Sequence, residues 1–266
     1  MNQRNIKLFI KNIIPESLRE GILSLTYMGK KMPDYAIYEA ALKNKSGLEI
    51  GGPSYLFKTT LPIYQKIKNL DGVNFSTSTV WEGKLQDGGD FNYFQNKKGL
   101  QFISEASELS QIKSSTYDFI LSSNCLEHLA NPLKAIKEWH RIIKPGGHLL
   151  LILPKKDENF DHRRPVTKFE HLLEDYRNQM TEHDLTHLEE ILEMHDLAKD
   201  PAAGNLEEFR NRSLDNFNNR CLHHHIFDMQ LIEKILEHFN LKIIQQTTTN
   251  SDYLSLSMKN LADVFD

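Results

Sequence analysis

The sequence predicts an α/β protein: a mostly parallel sheet with an antiparallel edge hairpin, an N-terminal helical cap, and a helical insertion after the fifth strand. Three observations carry this. From Gly47 onward, short apolar runs alternate with helix-length periodic stretches, the pattern of parallel strands joined by crossover helices. Residues 242–247 and 252–258 return to strand period around Asn250-Ser251, which reads as a hairpin at the sheet edge. Between these regions the chain is polar, charged and helical in period.

A chain of 266 residues can bury a sizeable core. Its formal net charge is −4, and Lys and Arg are dispersed along it, so a nucleic-acid polymer is not an expected partner. Cys125 and Cys221 are too few for a disulfide framework or a four-thiolate zinc site, and they fit a reducing, cytoplasmic compartment. Met1 to Ile14 carries a short apolar stripe interrupted by Arg4, Lys7 and Lys11. That pattern is neither a secretory signal nor a transmembrane segment; it leaves a packed cap helix or a stripe resting on a membrane surface.

Taken in order, residues 1–43 form the cap, with a helix start at Pro15-Glu16-Ser17 and Leu18, Ile22, Leu23 and Leu25 on the face that follows. Residues 44–155 form the core, with strands expected at 47–50, 73–77, 100–103, 117–122 and 148–153. Before the last of these, Asn131 is an N-cap, Pro132 the first helical residue, and Leu133, Ile136, Trp139 and Ile143 one helical face. Lys144-Pro145-Gly146-Gly147 should end that helix in a tight turn. Residues 156–220 form the insertion, a lid over the acceptor, and 221–266 complete the core sheet after a helix from Met229 to Phe239.

Leu48-Glu49-Ile50-Gly51-Gly52-Pro53-Ser54 reads as a buried strand running into a glycine turn, where missing side chains let backbone approach a ligand. A glycine pair after a strand is also an ordinary turn. The spacing lacks the full dinucleotide fingerprint, and Pro53 removes an N–H where a pyrophosphate wants one, which argues against NAD. The block from Tyr117 to Pro154 is more informative. Together, "LEIGGP" and "YDFILSSNCLEHLANPLKAIKEWHRIIKPGGHLLLILP" resemble class I S-adenosylmethionine-dependent methyltransferases, in particular the group whose fourth strand ends in a Leu-Glu-His step.

The resemblance spans roughly residues 44–155 and implies a Rossmann-like sheet, S-adenosyl-L-methionine as cofactor, and an enzyme. It implies that Glu49, Gly51, Gly52 and Pro53 lie at the methionine end of the cofactor and Glu105 and Ala106 at the adenine. Ser123 and Asn124, in the loop from Ser122 to His128, would then face the transferable methyl. One departure stands out. The family carries an acidic residue at the end of strand two for the ribose hydroxyls, whereas this chain reads Asn74-Phe75-Ser76-Thr77-Ser78-Thr79. Glu82, beside Trp81, is either its substitute or a solvated loop residue.

Methyl transfer from a sulfonium is a direct displacement, and a hydroxyl acceptor must also lose a proton. His128 is the first candidate base; the alternative is a helix-start histidine that bonds locally. His162 and His225 are further catalytic candidates, because eight of the twelve histidines lie in or just after the insertion. Arg163, Arg164 and His223 are candidate contacts to an anionic acceptor, unless the arginines are only surface charge. His162, His187, His223 and His225 are a candidate divalent-metal set, with Asp161, Glu190 or Asp228 nearby; the alternative is solvated imidazoles on polar helices. His183 and His187 have helical pair spacing, but Asp184 stands where the metalloprotease motif has glutamate. The expected activity is O-methylation of a small anionic or sugar-like acceptor, nucleotide- or phosphate-linked, in surface-polysaccharide or related biosynthesis. The rival is a non-catalytic cofactor-fold protein that uses the insertion as a partner surface.

Overall fold

A computed structural model describes residues 32–262, so the helix start at Pro15 and most of the cap lie outside the described residues. Helix α1 (Tyr35–Leu42) leads into β1 (Ser46–Ile50) and β2 (Asn69–Asn74), followed by a small hairpin of β3 (Ser78–Thr79) and β4 (Gly83–Lys84). Then come β5 (Asp90–Phe94), β6 (Lys97–Ile103), β7 (Tyr117–Ser123), α2 (Pro132–Ile142) and β8 (Ile143–Pro154). The polar stretch carries α3 (Phe169–Arg177), α4 (Leu188–Met194), α5 (Leu206–Leu214) and α6 (Asn216–Asn219). The chain then closes with α7 (Met229–His238), β9 (Leu241–Thr248) and β10 (Asp252–Lys259).

Eight strands form one sheet in the order β5-β6-β2-β1-β7-β8-β10-β9. Strands β6, β2, β1, β7 and β8 run parallel, while β5 closes one edge antiparallel and β10 and β9 the other. This is the Rossmann-like sheet with an antiparallel hairpin that the sequence predicts. After β1 the chain first builds outward through β2 and β6, then returns to place β7 on the other side of β1. The direction therefore reverses between β1 and β7, which opens a crevice at their carboxyl ends.

Alternation along the strands sorts side chains into two cores. Leu48, Ile50, Val73, Ile120, Leu149 and Leu151 pack with α2 and α7 on one face. On the other face, Phe119, Leu121, Leu150 and Ile152 meet Tyr38 and Leu42 of α1 and Phe57, Leu61, Ile63 and Tyr64 of the β1–β2 connection. That connection is mostly irregular; it forms one short 3-10 turn over Tyr55–Lys58 instead of a crossover helix. Thr59, Thr60 and Pro62 disfavour continuing the turn.

Several expected boundaries move. Strand two is residues 69–74 rather than 73–77, and it includes Gly72, where a Cβ would stand 2.2 Å from the Phe91 ring. The β3–β4 hairpin is two residues a strand and polar, so it gives no apolar alternation to read, whereas β5 does alternate, with Phe91 and Tyr93 buried, and is an edge strand the expected set lacks. Lys144 to Gly147 does not form a separate turn. Instead β8 begins at Ile143, paired with Tyr117, and the register shifts between Tyr117 and Phe119, with Gly146 at φ +74° in the irregular stretch. The start of α2 is as expected: Asn131 accepts the Lys134 amide at 3.1 Å, with Pro132 following.

Residues 155–228 contribute no strand. Leu172, Phe169 and Leu173 of α3 join the α2–α7 core, and Ile191, Ala203, Phe209 and Leu222 form a small core of their own. Among the described residues, no helix is long and apolar enough to cross a membrane.

Trp139 links the α2 core to the loop after β6: it is fully buried, and its Nε1 donates to the Ala106 carbonyl at 2.8 Å. Trp139→Phe keeps most of the apolar volume but strands that carbonyl. Urea unfolding should report a loss of about 1–3 kcal/mol; an unchanged midpoint and slope would show that the bond contributes nothing.

Candidate active site

A cavity of about 550 Å³ opens at the carboxyl ends of β1, β2, β6, β7 and β8, over the crevice between β1 and β7. Gly51 and Pro53 form part of its wall. Gly51 has φ +74°, its N–H donates to the Val73 carbonyl at 2.8 Å, and a Cβ would meet Cys125 Sγ at 3.2 Å. Glycine is therefore favoured by the backbone angle, and the space would leave a side chain only a tight contact.

Glu49 does not line the cavity; it supports the turn from beneath. It is fully buried and accepts the Ser54 amide at 2.9 Å and the Tyr64 hydroxyl at 2.5 Å. Burial pushes its carboxyl up to about 7, against the pull of those two donors. A Cβ at Gly52 would lie 2.2 Å from the Glu49 carboxyl carbon, so Gly52 serves this packing. Asn74, at the end of β2, donates to the Gly52 carbonyl at 3.1 Å. The β3–β4 hairpin brings Trp81 and Glu82 to the cavity, where burial raises the Glu82 carboxyl.

Glu105 and Ala106 also line the cavity. The Glu105 carboxylate is held by Arg220 at 2.6 and 3.2 Å, and Arg220 also reaches Glu182 Oε2 at 3.2 Å and lies over the Phe75 ring. Ser123 and Asn124 belong to the same wall, with Asn124 at φ +49° and its amide bonded to the Ile152 carbonyl.

The same cavity is lined by Glu127, His128 and His223, whose ligating atoms all lie within 4.8 Å of one another. Glu127 is buried with neither carboxylate oxygen hydrogen-bonded, and burial raises it to about 7. His128 Nδ1 lies 3.0 Å from the Leu222 carbonyl, which can only accept, so Nδ1 carries the proton and Nε2 is the free acceptor. Burial and the neighbouring His223 push His128 well below the usual imidazole range. His223 Nδ1 meets Asp161 Oδ2 at 2.5 Å. Burial acts against the protonated His223, but the Asp161 carboxylate outweighs it and raises the imidazole; conversely, His223 and Arg164 keep buried Asp161 below its usual range.

The remaining candidates go elsewhere. Arg164 is 1 % exposed and committed to Asp161, Glu190 and the carbonyls of His223 and His224, so it is no acceptor clamp. Arg163 is half exposed and faces Asp196, as does His162, whose Nε2 lies 2.9 Å from that carboxylate; neither residue lines the cavity. His162, His187, His223 and His225 are not brought together. His187 and His225 gather with His171 and Asp175, while His223 faces the cavity. His183 and His187 precede α4 rather than share a helix, and His183 stacks on Phe217 at 4.0 Å. The sequence pattern had given no role to Glu127, Arg220 or Phe160. Glu127 was visible inside the Leu-Glu-His step; the other two carry no local signal.

The fold and cavity define a Rossmann-like α/β protein with a ligand-sized site at the carboxyl edge of its sheet. A family model for the methyltransferase domain matches residues 20–246, and the chain belongs to that family: it is an S-adenosylmethionine-dependent methyltransferase. An S-adenosylmethionine-dependent methyltransferase from Mesorhizobium loti is similar in fold, at 10% identity and a TM-score of 0.51, over 85% of this chain and 96% of that one. A second structure, a SAM-dependent methyltransferase from Methanosarcina mazei, is 16% identical, with 87% of this chain and 99% of that one covered and a TM-score of 0.47. No curated protein sequence matches the chain.

Glu49 gives a pH test of the turn. Its carboxyl is held near 7 in the folded protein and titrates near the ordinary 4.5 when unfolded, so folding takes up a proton between those values. Stability from this group is full below about pH 4.5 and lost as pH rises through 7. Glu49→Gln has no charge to bury, so the wild-type advantage over it should shrink by up to about 3 kcal/mol between pH 5 and 8. A difference that stays constant with pH in paired denaturant titrations would mean that Glu49 ionises normally.

Proposed function

We propose that the enzyme O-methylates a small, hydroxyl-rich, sugar-like acceptor, with His223 as general base and Asp161 as its orienting carboxylate. The observation that carries this is the buried Asp161–His223 hydrogen bond at the cavity wall, beside the unpartnered carboxyl of Glu127. Bound S-adenosylmethionine supplies an electrophilic methyl group on a sulfonium. The cavity volume and the side-chain-free turn at Gly51 fit a ligand of that kind.

On the donor side, Gly51, Pro53, Ser123 and Asn124 are the backbone wall, held in shape by Glu49 and Gly52 behind it. Glu105 and Ala106 flank the adenine position. Glu82 is the carboxylate available to ribose hydroxyls, because Asn74 is tied to the turn.

On the acceptor side, the Asp161 carboxylate fixes the proton on His223 Nδ1 and leaves Nε2 to take the acceptor's hydroxyl proton. The imidazolium so formed is stabilised by the same carboxylate. His128 Nε2 and Glu127 offer hydrogen bonds that align further hydroxyls, while Trp81 and Phe160 exclude water. Among the described residues, the one arginine on the wall, Arg220, is already shared by Glu105 and Glu182, so a phosphate-linked acceptor would meet carboxylates rather than a free guanidinium. Neutral sugar hydroxyls, as in carbohydrate modification during surface-polysaccharide synthesis, match these acceptor groups better.

Screening sugars and polyols by S-adenosylhomocysteine release should find turnover with a neutral polyol and less with its phosphate ester; the reverse order would overturn the acceptor class. With the best acceptor, His223→Ala and Asp161→Asn should lower kcat by about 10²- to 10⁴-fold while calorimetric affinity for S-adenosylmethionine changes little. Unchanged kcat in His223→Ala, with a large loss in His128→Ala, would move the base to His128.

A further inference from the structure

Away from the cavity, three imidazoles and a carboxylate converge. His171 and Asp175 lie one turn apart on α3, His187 immediately precedes α4, and His225 follows the insertion. The Nε2 atoms of His171 and His187 face each other at 3.0 Å. Asp175 Oδ2 lies 3.3 Å from His171 Nε2 and 3.6 Å from His225 Nε2, and the ligating atoms of the three histidines fall within 4.8 Å of one another. A tetrahedral ion with bonds of about 2.0–2.1 Å keeps its ligand atoms about 3.3 Å apart, which the spacings of 3.0, 3.3 and 3.6 Å bracket.

The polar atoms there lack good alternatives. Asp175 Oδ2 is buried without a hydrogen bond, its side chain only 7 % exposed. The Ala130 carbonyl lies 3.4 Å from His225 Nε2, too long for a strong bond. Two imidazole nitrogens and a carboxylate oxygen aimed at one another are satisfied together by a cation.

We propose that His171, Asp175, His187 and His225 bind one divalent transition metal, zinc by donor chemistry, in a closed four-ligand site. With four protein ligands no position is left for substrate, so the ion is structural. It joins α3, the start of α4 and the 222–226 segment, and that segment carries His223 to Asp161. The site is separate from the Glu127–His128–His223 group on the cavity wall. It also stands independently of the acceptor class proposed above.

The test uses the full chain, purified without a His tag, stripped with chelator, and titrated with zinc or cobalt(II). Elemental analysis should give one zinc per chain, zinc should raise Tm, and cobalt should give the intense visible bands of tetrahedral coordination. His187→Ala should weaken zinc binding by more than about tenfold. His183→Ala, on the same segment but stacked on Phe217, and His223→Ala should not. Zinc-edge X-ray absorption of the wild-type protein needs no variant and should report three imidazoles with one carboxylate. No cobalt bands and no Tm shift in the wild type would overturn the site. So would bands lost in His223→Ala and kept in His187→Ala, which would put the ion in the cavity.

Discussion

The His223 side of the cavity depends on one buried guanidinium. Arg164 is almost fully enclosed and binds Asp161, Glu190 and the carbonyls of His223 and His224. It thereby ties the chain after β8, helix α4 and the 222–226 segment to one point. A buried charge with its partners removed costs about 3–5 kcal/mol, so these segments are coupled through it. The Asp161–His223 bond exists because Arg164 holds both ends: it pairs with the Asp161 carboxylate and anchors the backbone of His223. An arginine beside a cavity would ordinarily be assigned to an anionic substrate; here its charge is spent inside the protein.

The glycine-turn side is organised by the opposite arrangement, a carboxyl with little positive charge near it. Glu49 sits under the glycine turn, held by the Tyr64 hydroxyl and the Ser54 amide, and burial keeps it partly protonated near neutral pH. The turn is therefore shaped by neutral hydrogen bonds and by the space that Gly52 leaves free. Glu127 and Glu182 are raised to about 7 for the same reason, burial. Arg220 tempers this for Glu182 and ties down Glu105, so the carboxylates around the cavity differ in what each can still bind.

Legibility in the sequence followed the range of the forces involved. The strand-to-turn passage at Leu48–Ser54, the Asn131 cap and the β9–β10 hairpin are local patterns, and the structure has all three. Strand two begins earlier than its apolar pattern predicts because Asn69, Asp71 and Gly72 have the composition of a loop. They belong to the sheet because Tyr117 and the Leu100 amide take the Asp71 carboxylate, and because Gly72 admits the Phe91 ring. Among the histidines, composition alone could not separate roles. His223 finds Asp161 from 62 positions away, and His225, two residues on, turns to Asp175. Only the path of the chain between them decides which imidazole faces the cavity.

That path explains why two imidazoles of different character meet at the cavity wall. His128, from the Leu-Glu-His step, is buried and lies against His223, both of which favour a neutral ring and outweigh the opposite pull of the Leu222 carbonyl that Nδ1 donates to; among the described residues no carboxylate hydrogen-bonds it. His223 has such a carboxylate and is raised by it. The strand-end motif therefore contributes the cavity wall, and the segment after the insertion contributes the more basic nitrogen. A segment far along the chain from the sheet can thus place an imidazole on the cavity wall, provided that segment is held there. Here the holding is done by Arg164 on one side and by the His224 amide, bonded to the Glu127 carbonyl at 2.8 Å, on the other.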